Sequence, residues 1–311
     1  MNNGSFAPIT LFVYKRLDHT RRTVEALLKN ELAEHSDLFV FSDGSKNDDD
    51  NASVTELRKY LKDIKGFKSV TVYERETNIG LAANIIDGVT RIVNQYGKII
   101  VIEDDIVTGK YFLKYMNDAL AIYGNSNRVM EISGMSYPMD KTDLPETMFL
   151  HYGDCWGWAT WKRAWDKFEK NPKKLMKEFS IKDIYHFNLE NRDNRWNQVI
   201  FNRLGIMNTW AVFWDATIYK DDGLMLFPRE SLVQNIGLDN TGEHVAKSNP
   251  LNIPPSNEQI TFFPDVEEIY EDPMIRDRFA NCQLELSKKL QQGVFKKACR
   301  HILKLMKLFR A

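Results

Sequence analysis

Cysteine is scarce in this sequence. Cys155, Cys282 and Cys299 are its only three. They are odd in number and far apart, which argues against a disulfide framework and against zinc-ligand spacing, and fits a reducing compartment. Also missing is any run of about 18 uncharged apolar residues, the length a helix needs to cross a bilayer. Met1-Asn2-Asn3-Gly4-Ser5 lacks the basic and apolar regions of a signal peptide, so the expected location is cytoplasmic. There is no internal repeat and no low-complexity tract. What remains is an ordinary globular composition, 43% hydrophobic and 27% charged over 311 residues, enough to bury a large core.

The net charge of −1 conceals an asymmetry. From Leu286 to Ala311 there are eight Lys or Arg and no acid, leaving 34 basic against 43 acidic residues in the body. Apolar Leu290, Val294, Phe295, Ile302, Leu303 and Phe309 interleave with these cations. A cationic amphipathic helix of this kind suits an anionic membrane surface; a terminal helix packed on the domain with a solvated basic face is the other reading. Nucleic acid is disfavoured as a partner, because an acidic body repels phosphate.

Along the first 135 residues, apolar runs alternate with helical patterns. Ile9–Tyr14, Leu38–Phe41, Val70–Tyr73 and Lys98–Ile102 read as strands. The intervening segments place Val24, Leu27 and Leu28, then Val54–Ile64, then Ile85, Val89 and Ile92 on helices, with Asp18 or Thr20 as the first cap and Gly97 closing the third helix. Strand, helix, strand in this order implies parallel pairing with right-handed crossovers. The middle of the chain is less periodic, and all seven tryptophans lie between Trp156 and Trp214. Asn249–Pro255 reads as a linker, and from Phe279 a helix is expected to run to the end.

Two strand ends carry candidate chemistry. The fourth strand runs straight into Glu103-Asp104-Asp105, and in open parallel sheets ligands bind beyond the carboxyl ends of strands. Three adjacent carboxylates repel one another unless a cation or a donor-rich ligand neutralises them. Mn²⁺ or Mg²⁺ would take carboxylate and diphosphate oxygens together; a solvated acidic turn is the plainer alternative. The second strand ends at Ser42-Asp43-Gly44-Ser45, where Asp43 either accepts hydrogen bonds from a base or ribose or simply stabilises a turn.

Taken in order, Phe12-Val13-Tyr14-Lys15-Arg16 with Thr20-Arg21-Arg22-Thr23, Phe41-Ser42-Asp43-Gly44, Asn78-Ile79-Gly80-Leu81 and Val101-Ile102-Glu103-Asp104-Asp105-Ile106 resemble the nucleotide-binding half of GT-A glycosyltransferases. Among these, the likeness is to the animal N-acetylglucosaminyltransferase that initiates complex N-glycans and to bacterial family-two-like sugar transferases. It continues through Ile132-Ser133-Gly134, Cys155-Trp156-Gly157-Trp158-Ala159-Thr160-Trp161 and Phe227-Pro228-Arg229-Glu230-Ser231, and ends at His244. It thus spans about residues 8–245.

The resemblance implies an α/β GT-A fold, a mostly parallel sheet with helices on both faces and a C-terminal helical appendage. Residues 1–135 would bind the nucleotide-sugar and 136–248 the acceptor, with 249–278 as linker and 279–311 as the basic helix. It implies metal-dependent transfer from a UDP-sugar to a hydroxyl of a glycan, with inversion, in surface polysaccharide or glycan synthesis; a lipid-linked acceptor would suit a peripherally membrane-bound protein. Asp43 would contact the base and Asp104 the ribose, with Arg16, Asn78 and Glu103 also on the nucleotide-sugar. Asp105 would hold the metal, with His244 as a further metal or loop-closing group. Trp156 and Trp158 would offer sugar-stacking faces, unless they are core fillers; Trp161 and Trp165, four apart, look like one helix face.

In bacterial relatives the general base is an Asp after a tryptophan, but here Ala211 follows Trp210. Asp154 and Asp215 are the substitutes. Two rivals remain. A sugar-nucleotide nucleotidyltransferase would need a Gly-rich loop after the first strand, where Lys15-Arg16-Leu17-Asp18 has no glycine. A catalytically inactive nucleotide- or glycan-binding fold is supported by Ala211.

Overall fold

The computed structural model describes residues 6–239 and 250–289. Strand β1, Ile9–Val13, is buried at all five positions, as a continuous apolar run covered on both faces should be. Helix α1 (Leu17–Leu28), β2 (Asp37–Ser42), α2 (Asn51–Lys62), β3 (Ser69–Glu74), α3 (Leu81–Tyr96) and β4 (Lys98–Glu103) follow. The four strands pair in parallel in the order β3-β2-β1-β4, with Ile9 opposite both Leu38 and Ile100. The chain steps outward from β1 to β3 and then returns past β1 to β4. Right-handed crossovers therefore place α1 and α2 on one face and α3 on the other. Gly97 ends α3 at φ 76° as expected. Helix α1 differs from expectation: it begins at Leu17, directly after Arg16, and no side chain caps it. Thr20 instead donates its hydroxyl to the Arg16 carbonyl at 2.9 Å, and Asp18 lies in the first turn, where a carboxylate favours the helix dipole.

The second half supplies β5 (Ile106–Thr108), α4 (Phe112–Ile122), β6 (Val129–Ser133), β7 (Thr147–Leu150), β8 (Trp158–Trp161), α5 (Lys162–Trp165), α6 (Pro172–Glu178), α7 (Ile181–Phe187), α8 (Trp196–Arg203), α9 (Ala211–Lys220), β9 (Leu224–Pro228) and β10 (Val233–Asn235). Its strands extend the same sheet to β3-β2-β1-β4-β8-β6-β9-β7, with β8 antiparallel between β4 and β6. Both halves thus share one mixed, mostly parallel α/β sheet. A two-stranded antiparallel ribbon, β5 with β10, stands apart and pairs Ile106 with Asn235. Helices α6–α9 enclose a second, small core of Leu175, Phe179, Phe187, Trp196, Val199 and Phe213.

Two expectations are corrected. Trp161 lies on strand β8, not on a helix with Trp165; its indole N–H donates to the Leu120 carbonyl. The stretch read as a linker is irregular yet packed: Phe263 stacks on Tyr115, the Tyr123 hydroxyl donates to the Pro264 carbonyl, and Thr147 donates to the Phe262 carbonyl. The last described helix, α10, starts at 273, before Phe279, and is described to 289. The rest of the basic segment, with Cys299, lies outside the described residues.

Candidate active site at the sheet edge

Strand β4 delivers Glu103, Asp104 and Asp105 to the carboxyl edge of the parallel strands, and Arg16 reaches the same place from the end of β1. The Arg16 guanidinium grips both oxygens of Asp104, donating from Nη2 to Oδ1 and from Nε to Oδ2 at 3.1 Å. It also donates from Nη2 to Oδ2 of Asp105 at 2.8 Å. Part of the neutralising charge that the acidic triplet requires therefore comes from the protein itself. Burial pushes the Asp104 carboxyl up, and the hydrogen bonds and charge of Arg16 pull it back down. Arg16 is held above its ordinary value: burial alone would lower it, but the bonds and charge of Asp104 and Asp105 prevail. Glu103, without an ion pair among the described residues, is pushed up to about 8 by burial and then by Asp105 and Asp104, with Arg16 opposing.

The β5–β10 ribbon closes over this cluster. The Ile236 N–H donates to the Asp105 carbonyl at 2.8 Å. A Cβ on Gly237 would collide with Oδ2 of Asp105 and lie 3.0 Å from Nη1 of Arg16. Only glycine lets the ribbon come this close.

At the end of β2, Asp43 is 4% exposed. It accepts the Gly44 and Ile79 N–H groups on Oδ1, at 2.9 and 3.0 Å, and the Gly80 N–H on Oδ2 at 3.0 Å. Asn78 donates to the Gly44 carbonyl at 2.8 Å. The pair ties the β2 loop to the entry of α3. Three backbone donors leave Asp43 little capacity for a ligand except on Oδ2. Arg58, unmarked by the sequence reading, clamps the Ser42, Asp43 and Arg75 carbonyls behind this loop.

A second carboxylate group surrounds the loop 151–157 leading into β8. Asp154 is fully committed: Oδ2 accepts the Tyr137 hydroxyl at 2.6 Å and Oδ1 the Trp156 N–H at 2.8 Å. Burial pushes it up to about 6. Asp215 sits on α9 one turn after Ala211, on the same helix face. No group donates a hydrogen bond to its side chain among the described residues, and its nearest charge is Nη1 of Arg195, 3.8 Å from Oδ2. Burial pushes Asp215 up to about 7; Arg195 opposes this, while Asp154 and Asp193 add to it. Fully buried Glu131 on β6 accepts the Trp214 indole N–H, and burial followed by the charges of Asp215 and Asp154 holds it well above the carboxylate range. Glu131 and Arg195 leave no trace in the sequence pattern.

The tryptophans divide. Trp158 has no exposed surface and packs among the rings of Trp165, Trp210 and Trp214. It is a core residue here, and no face of it remains for a sugar. Trp156 is partly buried and keeps some open surface. His244 lies outside the described residues. A cavity of about 660 Å³, lined by His151, Phe179, His186, Tyr219 and Glu271 among others, lies away from the β4 triplet beside the α6–α9 core; nothing in the sequence pointed to it.

Among the described residues no three His, Cys, Asp or Glu side chains are grouped to hold a metal. A magnesium-like ion, however, needs only one or two protein carboxylates when phosphates complete its shell. Asp105 meets that demand by its place at the strand end: Arg16 engages it through Oδ2, the oxygen that already fills the space a Cβ on Gly237 would need. Among the described residues no helix is long and apolar enough to cross a membrane.

No protein-family profile matches the chain, and no curated protein matches it. Among solved structures it is similar to a mannosyltransferase from Pyrobaculum calidifontis in complex with GDP-Man and Mn²⁺, at 9% identity over 70% of each chain and a TM-score of 0.37. It is also similar to TarS of S. aureus, at 17% identity over 47% of this chain and 24% of that one, with a TM-score of 0.30. A third likeness is to a protein assigned as a nucleotide-diphospho-sugar transferase from Desulfovibrio desulfuricans G20, at 14% identity over 54% and 69% of the two chains and a TM-score of 0.35. Likeness of this degree transfers no chemistry, and the chain's architecture rests on its own strand order.

Proposed function

We propose that the chain is a glycosyltransferase that moves a sugar from a nucleotide diphosphate donor to a hydroxyl of a glycan acceptor. The observation that carries this reading is that the Arg16–Asp104–Asp105 cluster at the sheet edge lies near a separate carboxylate, Asp215, without a hydrogen-bond donor among the described residues. The two are linked through Asp154 and Cys155, which feel the charges of Glu103 and Asp215 alike. Open α/β sheets bind ligands at this edge. Asp43, Asn78, Glu103 and Asp104 are assigned to the nucleotide-sugar, and UDP as its nucleotide follows from the sequence resemblance.

Asp105 would hold a divalent ion, which when bound would supply Lewis acidity to the diphosphate leaving group. The chain's own residues orient the donor and take the proton. The acceptor oxygen bonds to the anomeric carbon, the bond to the diphosphate breaks with its electron pair leaving on phosphate, and the acceptor proton passes to Asp215. Asp215 is preferred to Asp154 as base, because both oxygens of Asp154 already accept hydrogen bonds. Displacement from the face opposite the leaving group inverts the anomeric centre.

The test is Mn²⁺-dependent release of UDP from a panel of UDP-sugars, with and without glycan acceptors. Asp105→Asn and Asp215→Asn should each reduce turnover by 10²-fold or more, roughly the value of a positioned acid–base group. Full turnover by both variants would overturn the reading. One observation favours a second reading, a protein that binds nucleotide without turnover: Arg16 already occupies both oxygens of Asp104. Saturable UDP-sugar binding with no product at any acceptor would select it.

A further inference from the structure

Arg195 is the most deeply buried cation described, with 4% of its side chain exposed, and burying a guanidinium is expensive unless it is paired. Most of it is anchored. Nε donates to the Phe187 carbonyl at 2.7 Å and Nη2 to the His151 carbonyl at 3.4 Å. The rings of Tyr152 and Phe187 lie 4.2 and 4.1 Å from its centre. Nη1 alone has no hydrogen-bond partner, and it faces Oδ2 of Asp215 at 3.8 Å. Opposite, Asp215 lies so close to Gly153 that a Cβ there would overlap Oδ1. The carboxylate is thus seated between a glycine and the one uncommitted nitrogen of a rigid cation.

We propose that Arg195 is a positioning residue for Asp215, holding its carboxylate in place and ionised within a buried, acid-rich pocket. This rests on the reading of Asp215 as the base. The groups that face Asp215 are otherwise acidic or neutral: Asp154, Asp193, Glu131, Tyr152 and Cys155. All the acids among them favour its protonated form, and among the described residues Arg195 is the group that opposes them. An opposite charge within about 4–6 Å lowers a carboxylate by about 1–3 pH units, so losing Arg195 should move Asp215 upward, away from the ionised form a base requires.

The experiment is a ¹³C NMR titration of the full chain labelled at aspartate carboxyls, with Asp215 assigned by its loss in D215N. The native midpoint is expected near neutrality, about one unit or more higher in R195M, and largely restored in R195K. An unmoved midpoint in R195M overturns the proposal. Should R195M fail to fold, the native chain still decides: the Arg195 guanidinium ¹⁵N resonances should step at the Asp215 midpoint and lose that step in D215N. Resonances that stay flat across the titration overturn it equally. The base reading fails on different evidence, namely D215N retaining full turnover, which leaves the titration result standing.

Discussion

Replacing Arg16 with Met separates the two sources of charge at the β4 edge. Arg16 is 25% exposed at its side chain, while Asp104 and Asp105 are only 8% and 15% exposed. Its removal leaves two adjacent, largely buried carboxylates without the guanidinium that pairs them. Breaking a buried ion pair from one side costs about 3–5 kcal/mol, and partial exposure puts this case near the lower end. An unfolding entropy of about 2.1 cal/mol/K per residue gives a 311-residue chain roughly 0.65 kcal/mol/K. A loss of about 3 kcal/mol is then about 5 °C in Tm, measured by calorimetry in EDTA.

Metal sharpens the test. In the native chain an ion held by Asp105, as proposed, would share that carboxylate with Arg16, whereas in R16M it would replace the missing charge. Mn²⁺ at about 100 times its Kd stabilises by about 2.7 kcal/mol, so most of the deficit should return, and the Mn²⁺-induced rise in Tm should be larger in R16M than in the native chain. The reasoning is refuted if R16M melts with the native protein in EDTA, or if Mn²⁺ raises both by the same amount.

Other outcomes follow from single features. Asp43→Ala strands one buried and two partly buried backbone donors, the buried one at about 1–3 kcal/mol, so its Tm should fall by a few degrees without any ligand; a fall confined to the nucleotide-bound state would contradict the structural tie. Gly237→Ala should weaken Mn²⁺ binding measured by titration calorimetry, since its Cβ needs the space of an Asp105 oxygen; unchanged affinity would refute the close approach. Asp154, near 6, and Asp215, near 7, lie above their unfolded values near 4. The folded state therefore binds more protons, its extra stability is present in full below pH 4, and this is lost as pH rises through 6 and 7. Metal-free thermal melts should fall from pH 5 to 8, less steeply in D215N, and a rising profile would contradict the burial of these groups. Deleting residues 290–311 should abolish binding to phosphatidylglycerol vesicles, since the apolar and cationic residues invoked are concentrated there; retained binding would place any membrane contact elsewhere.

The parallel half of the sheet was legible because buried strands are written as contiguous apolar runs: Lys98–Ile102 could only end where Glu103-Asp104-Asp105 begins. Long-range pairing was not legible. Nothing marks Arg16 as the partner of residues 88 and 89 positions away, and Arg195 meets Asp215 only because α8, α9 and the loop before β8 converge. Trp158 and Trp156 are two residues apart in one motif. They differ because β8 turns Trp158 into the indole cluster, while Trp156 precedes the strand. The 249–278 stretch reads as a linker because it has no periodicity, yet its described part is fixed by single contacts such as Phe263 on Tyr115, which leave no repeating pattern.

The two carboxylate groups also explain why the chain uses two arginines rather than one. Arg16 grips both oxygens of Asp104 and reaches Asp105, so these side chains are fixed by charge-assisted bonds, which suits the donor-orienting role proposed for them. Arg195 stops 3.8 Å short of Asp215, too far to occupy its lone pairs but near enough to favour their charge. A base saturated like Asp104 would have no oxygen left to accept a proton, and a donor-binding acid left open like Asp215 would be neutralised by its acidic neighbours. On the proposed reading, the difference of about 1 Å in how closely each guanidinium approaches would let similar side chains do opposite work, one set holding charge still and one carboxylate free to change it.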